Sequence, residues 1–172
     1  MTIILETERL VLRTWSPDDA EEGFRIWSDP EVMRYIGTGQ PNADIEQTRG
    51  WLGRMMAHQE SHGFCFWAVA EKETGRLIGS CGLAYQLDGG LPIEFGYTLA
   101  RDRWGRGLAT EVAGACLQYV FENFPLTEIA ASVDARHIAS QRVLEKIGFT
   151  YERQEQLENG LDFWYVARPR ES

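Results

Sequence analysis

Two glycines stand between a strand pattern and a helix pattern in Arg103-Trp104-Gly105-Arg106-Gly107-Leu108-Ala109-Thr110-Glu111. Upstream, Ile93-Glu94-Phe95-Gly96-Tyr97-Thr98-Leu99 puts its large apolar residues on one face and Glu94, Gly96 and Thr98 on the other. Downstream, Leu108, Val112, Cys116 and Tyr119 recur at helical intervals, with no proline before Pro125. Glycine permits left-handed backbone and close approach of a ligand, while a helix start leaves N–H groups unpaired and carries partial positive charge. Strand end, glycine turn and helix start in that order can make an anion cradle. The glycines alone equally fit a tight turn, so the flanking patterns carry the assignment.

The rest of the chain predicts what surrounds that loop. A short strand over residues 10–14 precedes Ser16-Pro17-Asp18-Asp19, a helix-start signature, and a helix from about Pro17 to Trp27. Asp29-Pro30 interrupts it, Glu31 to Ile36 forms one more turn, and Gly37-Thr38-Gly39-Gln40-Pro41 is a loop. Ala43 to about Glu60 then reads as a long helix. Phe64–Ala70 and Leu77–Leu83 form a hairpin about Glu73-Thr74-Gly75, and Asp88-Gly89-Gly90 leads into the strand already described. Beyond the glycines come a strand at Ile129–Val133 and a helix at His137–Ile147 capped by Gly148. Strands at Phe149–Glu152 and Leu161–Val166, joined near Asn159-Gly160, complete the pattern. That order predicts a mixed α+β domain over residues 1–172, with helices on a mostly antiparallel sheet and a helical crossover after the glycines.

Composition excludes several classes of function. With Lys+Arg 17 against Asp+Glu 26, the net charge of −9 opposes nonspecific binding to nucleic acid or to an anionic membrane and suits a cationic partner, or plain solubility. Cys65, Cys81 and Cys116 lie in apolar stretches without zinc or redox spacing and read as buried thiols of a reducing, cytoplasmic compartment. No apolar run reaches membrane-spanning length, and the N-terminus lacks a signal-peptide pattern. His58 and His62, four apart on the predicted long helix, have no third ligand in view, so no metal is expected.

Three phosphate-binding readings compete for the glycine loop. A P-loop needs a Lys and a Ser or Thr after its second glycine, and the chain has no such run. A dinucleotide fingerprint wants a third glycine or alanine where Thr110 stands, early in a parallel series. The third reading comes from a resemblance. Glu8-Arg9-Leu10-Val11-Leu12-Arg13, Asp29-Pro30-Glu31-Val32-Met33-Arg34-Tyr35-Ile36, Ile93-Glu94-Phe95-Gly96-Tyr97 and Ala139-Ser140-Gln141-Arg142-Val143-Leu144-Glu145-Lys146-Ile147-Gly148-Phe149 look like successive blocks of one family. Over nearly its whole length the chain resembles the GCN5-related N-acetyltransferases (GNAT), of the ribosomal-protein alanine acetyltransferase type.

The resemblance implies a splayed sheet of six to seven strands flanked by about four helices. It also implies acetyl-coenzyme A (acetyl-CoA) as cosubstrate. In the family the loop reads Gln or Arg, two residues, Gly, one residue, then Gly or Ala, and its backbone holds the pyrophosphate. Trp104, Gly107 and Ala109 take those places here, so Trp104 departs from the pattern. By the same carry-over, Gly105, Arg106, Leu108 and Thr110 belong to the cradle, and Arg103 and Arg106 supply charge. Tyr97, Thr98 and Leu99 offer backbone to the pantetheine arm. His137 stands where an Asn is common. Acetyl transfer to an amine needs a base for the ammonium proton and an acid for the departing thiolate. Glu94 is placed for the first, and Ser140 matches a serine that serves as the second in relatives, ahead of Tyr151 and Tyr165. Trp15, Trp27 and Trp51 lie where the family builds its acceptor pocket, as core or as aromatic walls for a cation. The expected acceptor is a primary amine, in the leading reading a protein N-terminus and in the alternative a small amine such as a polyamine, amino acid or antibiotic, and relatives of this type often pair as homodimers. A non-catalytic coenzyme A-binding module is the alternative of a different class.

Overall fold

The computed structural model describes residues 1–86 and 90–171, so Asp88 and Gly89 of the predicted turn lie outside the described residues. Its strands are β1 (Ile3–Glu6), β2 (Leu10–Arg13), β3 (Phe66–Glu71), β4 (Leu77–Gln86), β5 (Gly90–Leu99), β6 (Ile129–Asp134), β7 (Thr150–Leu157) and β8 (Gly160–Ala167). The helices are α1 (Ala20–Trp27), α2 (Pro30–Met33), α3 (Ile45–His62), α4 (Leu108–Asn123) and α5 (Ile138–Ile147). The strands form an 8-stranded sheet in the order β1-β2-β3-β4-β5-β6-β8-β7. Every pair is antiparallel except β5 with β6, which follows from the crossover through α4.

Several boundaries differ from the predicted ones for local reasons. Ser16 accepts from Asp18 N while Asp19 accepts from Ser16 N, a reciprocal cap that closes a 3-10 turn over Pro17–Asp19 before α1 begins. Asp44 caps α3 by accepting from Gln47 N, and Gly63 ends it in the left-handed region at φ 81. Two strands escape hydrophobic patterning. β1 is short and lies at one edge, and the second half of β7 is polar and exposed at the other, so neither displays an alternation of buried and exposed residues.

The pleat assigns the two faces of the central sheet. Tyr97 reaches Ser140 on α5, and Trp67 meets Tyr119 on α4 with ring centroids 5.9 Å apart, so these side chains mark the α4/α5 face. Glu94, Gly96 and Thr98 alternate with Tyr97 and lie toward α1 and α3. Core residues Leu12, Val69, Ile78, Leu83, Phe95, Val112 and Ile129 are almost wholly removed from solvent. Arg13 is also buried. Its guanidinium donates to both carboxylate oxygens of Asp19 at 2.9 and 2.8 Å, which satisfies the pair internally. Among the described residues, no helix is long and apolar enough to cross a membrane.

Candidate active site

β5 and β6 touch and then part. Their parallel pairing is confined to Glu94 opposite Ala130. On its other side β5 stays in register with β4 through Thr98↔Ser80 and Leu99↔Gly79, and Ala100 N donates to Ile78 O at 2.7 Å. Alternation then turns the backbone of Thr98 toward β4 and that of Tyr97 and Leu99 toward the widening gap. A Cβ at Gly79 would overlap the Thr98 carbonyl oxygen, which agrees with that direction. Of the three residues expected to offer backbone, Tyr97 and Leu99 face the gap. Thr98 does not, although it lines a cavity on the Glu94 side.

The predicted cradle lies directly beyond. Gly105 and Gly107 have φ 75 and 74, left-handed values that disfavour a side chain. Gly107 precedes α4 with no side-chain cap, and the first intrahelical acceptor is used by Glu111 N on Gly107 O. The amides of Leu108, Ala109 and Thr110 therefore precede the helical ladder and form its positive end. Glu111 faces the other way, accepting from Thr7 Oγ1 at 2.6 Å and Arg9 Nε at 2.8 Å; burial works to raise its pKa, and these bonds together outweigh that and lower it. Arg106 is exposed, and its carbonyl accepts from Arg9 Nη1 at 3.0 Å. Arg103 is committed elsewhere, to Glu71 and to Asp102. The hydrogen bond from Arg103 is the leading cause that holds the Glu71 carboxyl below its ordinary pKa, and these pairs fasten the loop to the end of β3. Trp104 donates its indole N–H to Leu99 O at 2.9 Å.

Glu94 lines the cavity, of about 630 Å3, together with Trp27, Trp51, Phe66, Asp134 and Asp162. The Ser132 hydroxyl donates to Glu94 Oε1. Across the sheet from there, Asp134 on β6, Asp162 on β8 and Glu155 on β7 stand side by side in register. Arg136 grips Asp134 through Nε at 2.9 Å and Nη2 at 2.7 Å, holding its carboxyl below the ordinary range. Glu155 accepts from Trp164 Nε1 at 2.7 Å and faces Arg153 at 3.6 Å. Asp162, in the middle, has its pKa raised by burial first and then by Asp134, Glu94 and Glu155. Sequence reading overlooked Ser132, Asp134 and Asp162. The polar alternation of Ser132 and Asp134 along β6 was available as a signal, whereas the cross-strand row depends on register.

Ser140 lies in the first turn of α5, and the Tyr97 hydroxyl donates to its Oγ at 3.2 Å. Burial raises the Tyr97 pKa, outweighing the lowering effect of that bond, so the phenol keeps its proton near neutrality. His137 is the N-cap residue of α5 but makes no side-chain cap; its ring lies 4.9 Å from that of Tyr35, and burial lowers its pKa. Tyr165 donates to Glu145 at 3.4 Å, while Tyr151 is exposed and packs on Phe163 and Tyr165. His58 uses both ring nitrogens, Nδ1 with Phe64 O at 2.6 Å and Nε2 accepting from Tyr85 N at 3.1 Å, which fits a core residue rather than a metal ligand. Glu94 and Ser140 thus sit on opposite faces of the sheet, with the gap beside β5 between them.

A gap between β5 and β6 that ends at a glycine-started helix agrees with the family comparison. The sequence profile of the acetyltransferase (GNAT) domain matches residues 9–150. The chain belongs to the GNAT acetyltransferase family. It is 34% identical over 176 residues, covering 98% of both chains, to the uncharacterized N-acetyltransferase YoaA of Bacillus subtilis. Among solved structures, the acetyltransferase of Agrobacterium tumefaciens superposes with TM-score 0.82 at 27% identity, over 98% of this chain and 95% of the other. The same fold recurs at 15% identity and TM-score 0.81 in RimL, a ribosomal L7/L12 α-N-protein acetyltransferase in complex with coenzyme A, over 97% of this chain and 98% of that one. It recurs again at 19% identity and TM-score 0.76 in the Vibrio cholerae spermidine N-acetyltransferase with CoA and spermine, over 92% and 95%.

This GNAT enzyme is an acyltransferase with acetyl-CoA as donor. Its own geometry fits that cosubstrate. The strand edge at Tyr97 and Leu99 suits an amide-bearing arm, and open space beside Gly105 leaves room for phosphate oxygens at the α4 amides.

Proposed function

We propose that the protein acetylates a small primary amine that carries further positive charge, by direct attack in a ternary complex. The observation that carries this reading is the cavity lined by Glu94, by the in-register acids Asp134 and Asp162 and by Trp27 and Trp51; Arg34, Arg54 and Arg136 line it too, with Arg136 paired to Asp134. Aromatic faces and carboxylates together favour ammonium groups. Asp134 already has Arg136 as counter-ion, while Asp162 is opposed by its neighbours and gains from a cation. Acetyl-CoA supplies the acetyl group as an activated thioester.

Tyr97 and Leu99 backbone would align the arm in the gap, and the amides of Leu108, Ala109 and Thr110, with Arg106 nearby, would hold the pyrophosphate. Glu94, held by Ser132, takes the proton from the acceptor ammonium so that the neutral amine attacks. The gap-side N–H of either Tyr97 or Leu99 would donate to the thioester carbonyl oxygen; lying about 6.6 Å apart along the strand, the two do not share one oxygen. Ser140 passes its proton to the departing sulfur and is reprotonated, through solvent, by the second proton that the acylated nitrogen sheds; the bond from Tyr97 occupies a Ser140 lone pair, which leaves the serine proton free to donate. His137, the residue before α5, stacks near Tyr35 of the cavity wall.

The test follows coenzyme A thiol release from acetyl-CoA over polyamines, amino sugars, amino acids and peptides with free N-termini. Faster turnover of polycationic small amines is expected. Preference for peptides would instead assign the acceptor as a protein N-terminal amine, as in the ribosomal-protein type. Glu94→Gln should lose on the order of 10²–10⁴ in kcat with coenzyme A binding retained; full activity would remove Glu94 from the mechanism.

A further inference from the structure

We propose that Trp104 is a positioning residue that sets the separation between the two halves of the coenzyme A site; this rests on the cosubstrate reading above. The loop between β5 and α4 is fastened on its outer side by Arg103 to Glu71, at the end of β3, and by Arg9 Nη1 to Arg106 O at 3.0 Å. Trp104 fastens it to β5. Its Nε1 donates to Leu99 O at 2.9 Å, and the residue remains 48% exposed, so burial alone does not account for an indole there.

Leu99 O is the last β5 carbonyl on the gap side, because Ala100 turns back to pair with Ile78. The indole therefore closes the row of open backbone groups at Leu99 N–H. It also ties that row to a loop whose next residues, Gly105 to Thr110, form the anion cradle. A ligand that spans two segments gains from their connection only when their separation is fixed to match its length; motion between them lowers the effective concentration of the second contact. Where the family has Gln or Arg, this chain thus has an indole that occupies the gap-side carbonyl of Leu99 and holds the loop to β5.

The experiment compares calorimetric affinities for intact coenzyme A, for pantetheine as the arm alone, and for adenosine 3′,5′-diphosphate as the nucleotide alone. In Trp104→Phe, which keeps an aromatic ring but removes the N–H, coenzyme A should bind about 3–10-fold more weakly, the equivalent of one neutral hydrogen bond. The two fragments should keep their affinities within about two-fold under the same reasoning. Equal weakening of adenosine 3′,5′-diphosphate and coenzyme A would overturn the proposal by making the indole a direct nucleotide contact. No change in any ligand would overturn it as well. Should the phenylalanine variant unfold, site-specific benzothienylalanine, which has sulfur in place of the indole N–H, preserves the ring shape and must give the same pattern. Failure of the wild-type protein to bind coenzyme A would instead remove the cosubstrate reading itself.

Discussion

Asp162 stands between two carboxylates in a cross-strand row, an arrangement that opposes folding. Its raised folded pKa means that the native state holds the proton more tightly than the unfolded chain does. The sign follows: ionised Asp162 destabilises the fold above its folded pKa, and the cost fades as pH falls through the folded value toward the unfolded one. Asp162→Asn should therefore raise Tm at neutral pH, with the gain shrinking on acidification, while raising KM for a polycationic acceptor. A thermal scan against pH and acceptor kinetics check the two halves separately. Asp134 has the opposite sign, since Arg136 depresses its pKa and its contribution is lost as pH falls through that lowered value. The buried Arg13–Asp19 pair is structural: Asp19→Ala strands a guanidinium and removes the acceptor of the Ser16 cap, for an expected loss of about 3–5 kcal/mol by denaturant titration.

At the scale of elements, glycines do two different jobs beside the site. Gly105 has left-handed backbone with open space around it, so Gly105→Ala should fold with a loss of about 1–2 kcal/mol, read from the urea midpoint. Gly79 lies where β4 meets the Thr98 peptide, and Gly79→Ala would drive a methyl group into that backbone. The expected result is a larger loss of stability and reduced coenzyme A affinity, because relief of the clash displaces β5 itself. The glycine turn and the α4 start were legible in sequence because both are local signals. β1 was missed because a four-residue edge strand with no buried residue leaves no such signature. β7 was read too short because its exposed Arg153 to Gln156 stretch is held by pairing to β8 rather than by burial.

For the whole molecule, the sheet is one ladder with a fault beside β5, and the reaction is expected in that fault. The three thiols are buried. Burial pushes Cys65 up to about 12, and Cys81 is raised in the same direction by burial and by Cys116. Native thiols of this kind should label only when the fold opens, at a rate that falls as coenzyme A is added, since a ligand bound to the native state suppresses unfolding. Rapid labelling that ignores coenzyme A would contradict that expectation.

The sequence by itself determined the order of elements from β2 onward, the glycine turn at the α4 start and the family, because each is written in near neighbours and short periodicities. Tertiary structure decided which groups meet. Strand register sets Asp162 between Asp134 and Glu155, alternation turns Thr98 away from the gap and leaves Tyr97 and Leu99 in it, and folding brings Tyr97 to Ser140, 43 residues away in the chain. Those relations depend on distances between segments remote in sequence, which no local pattern encodes.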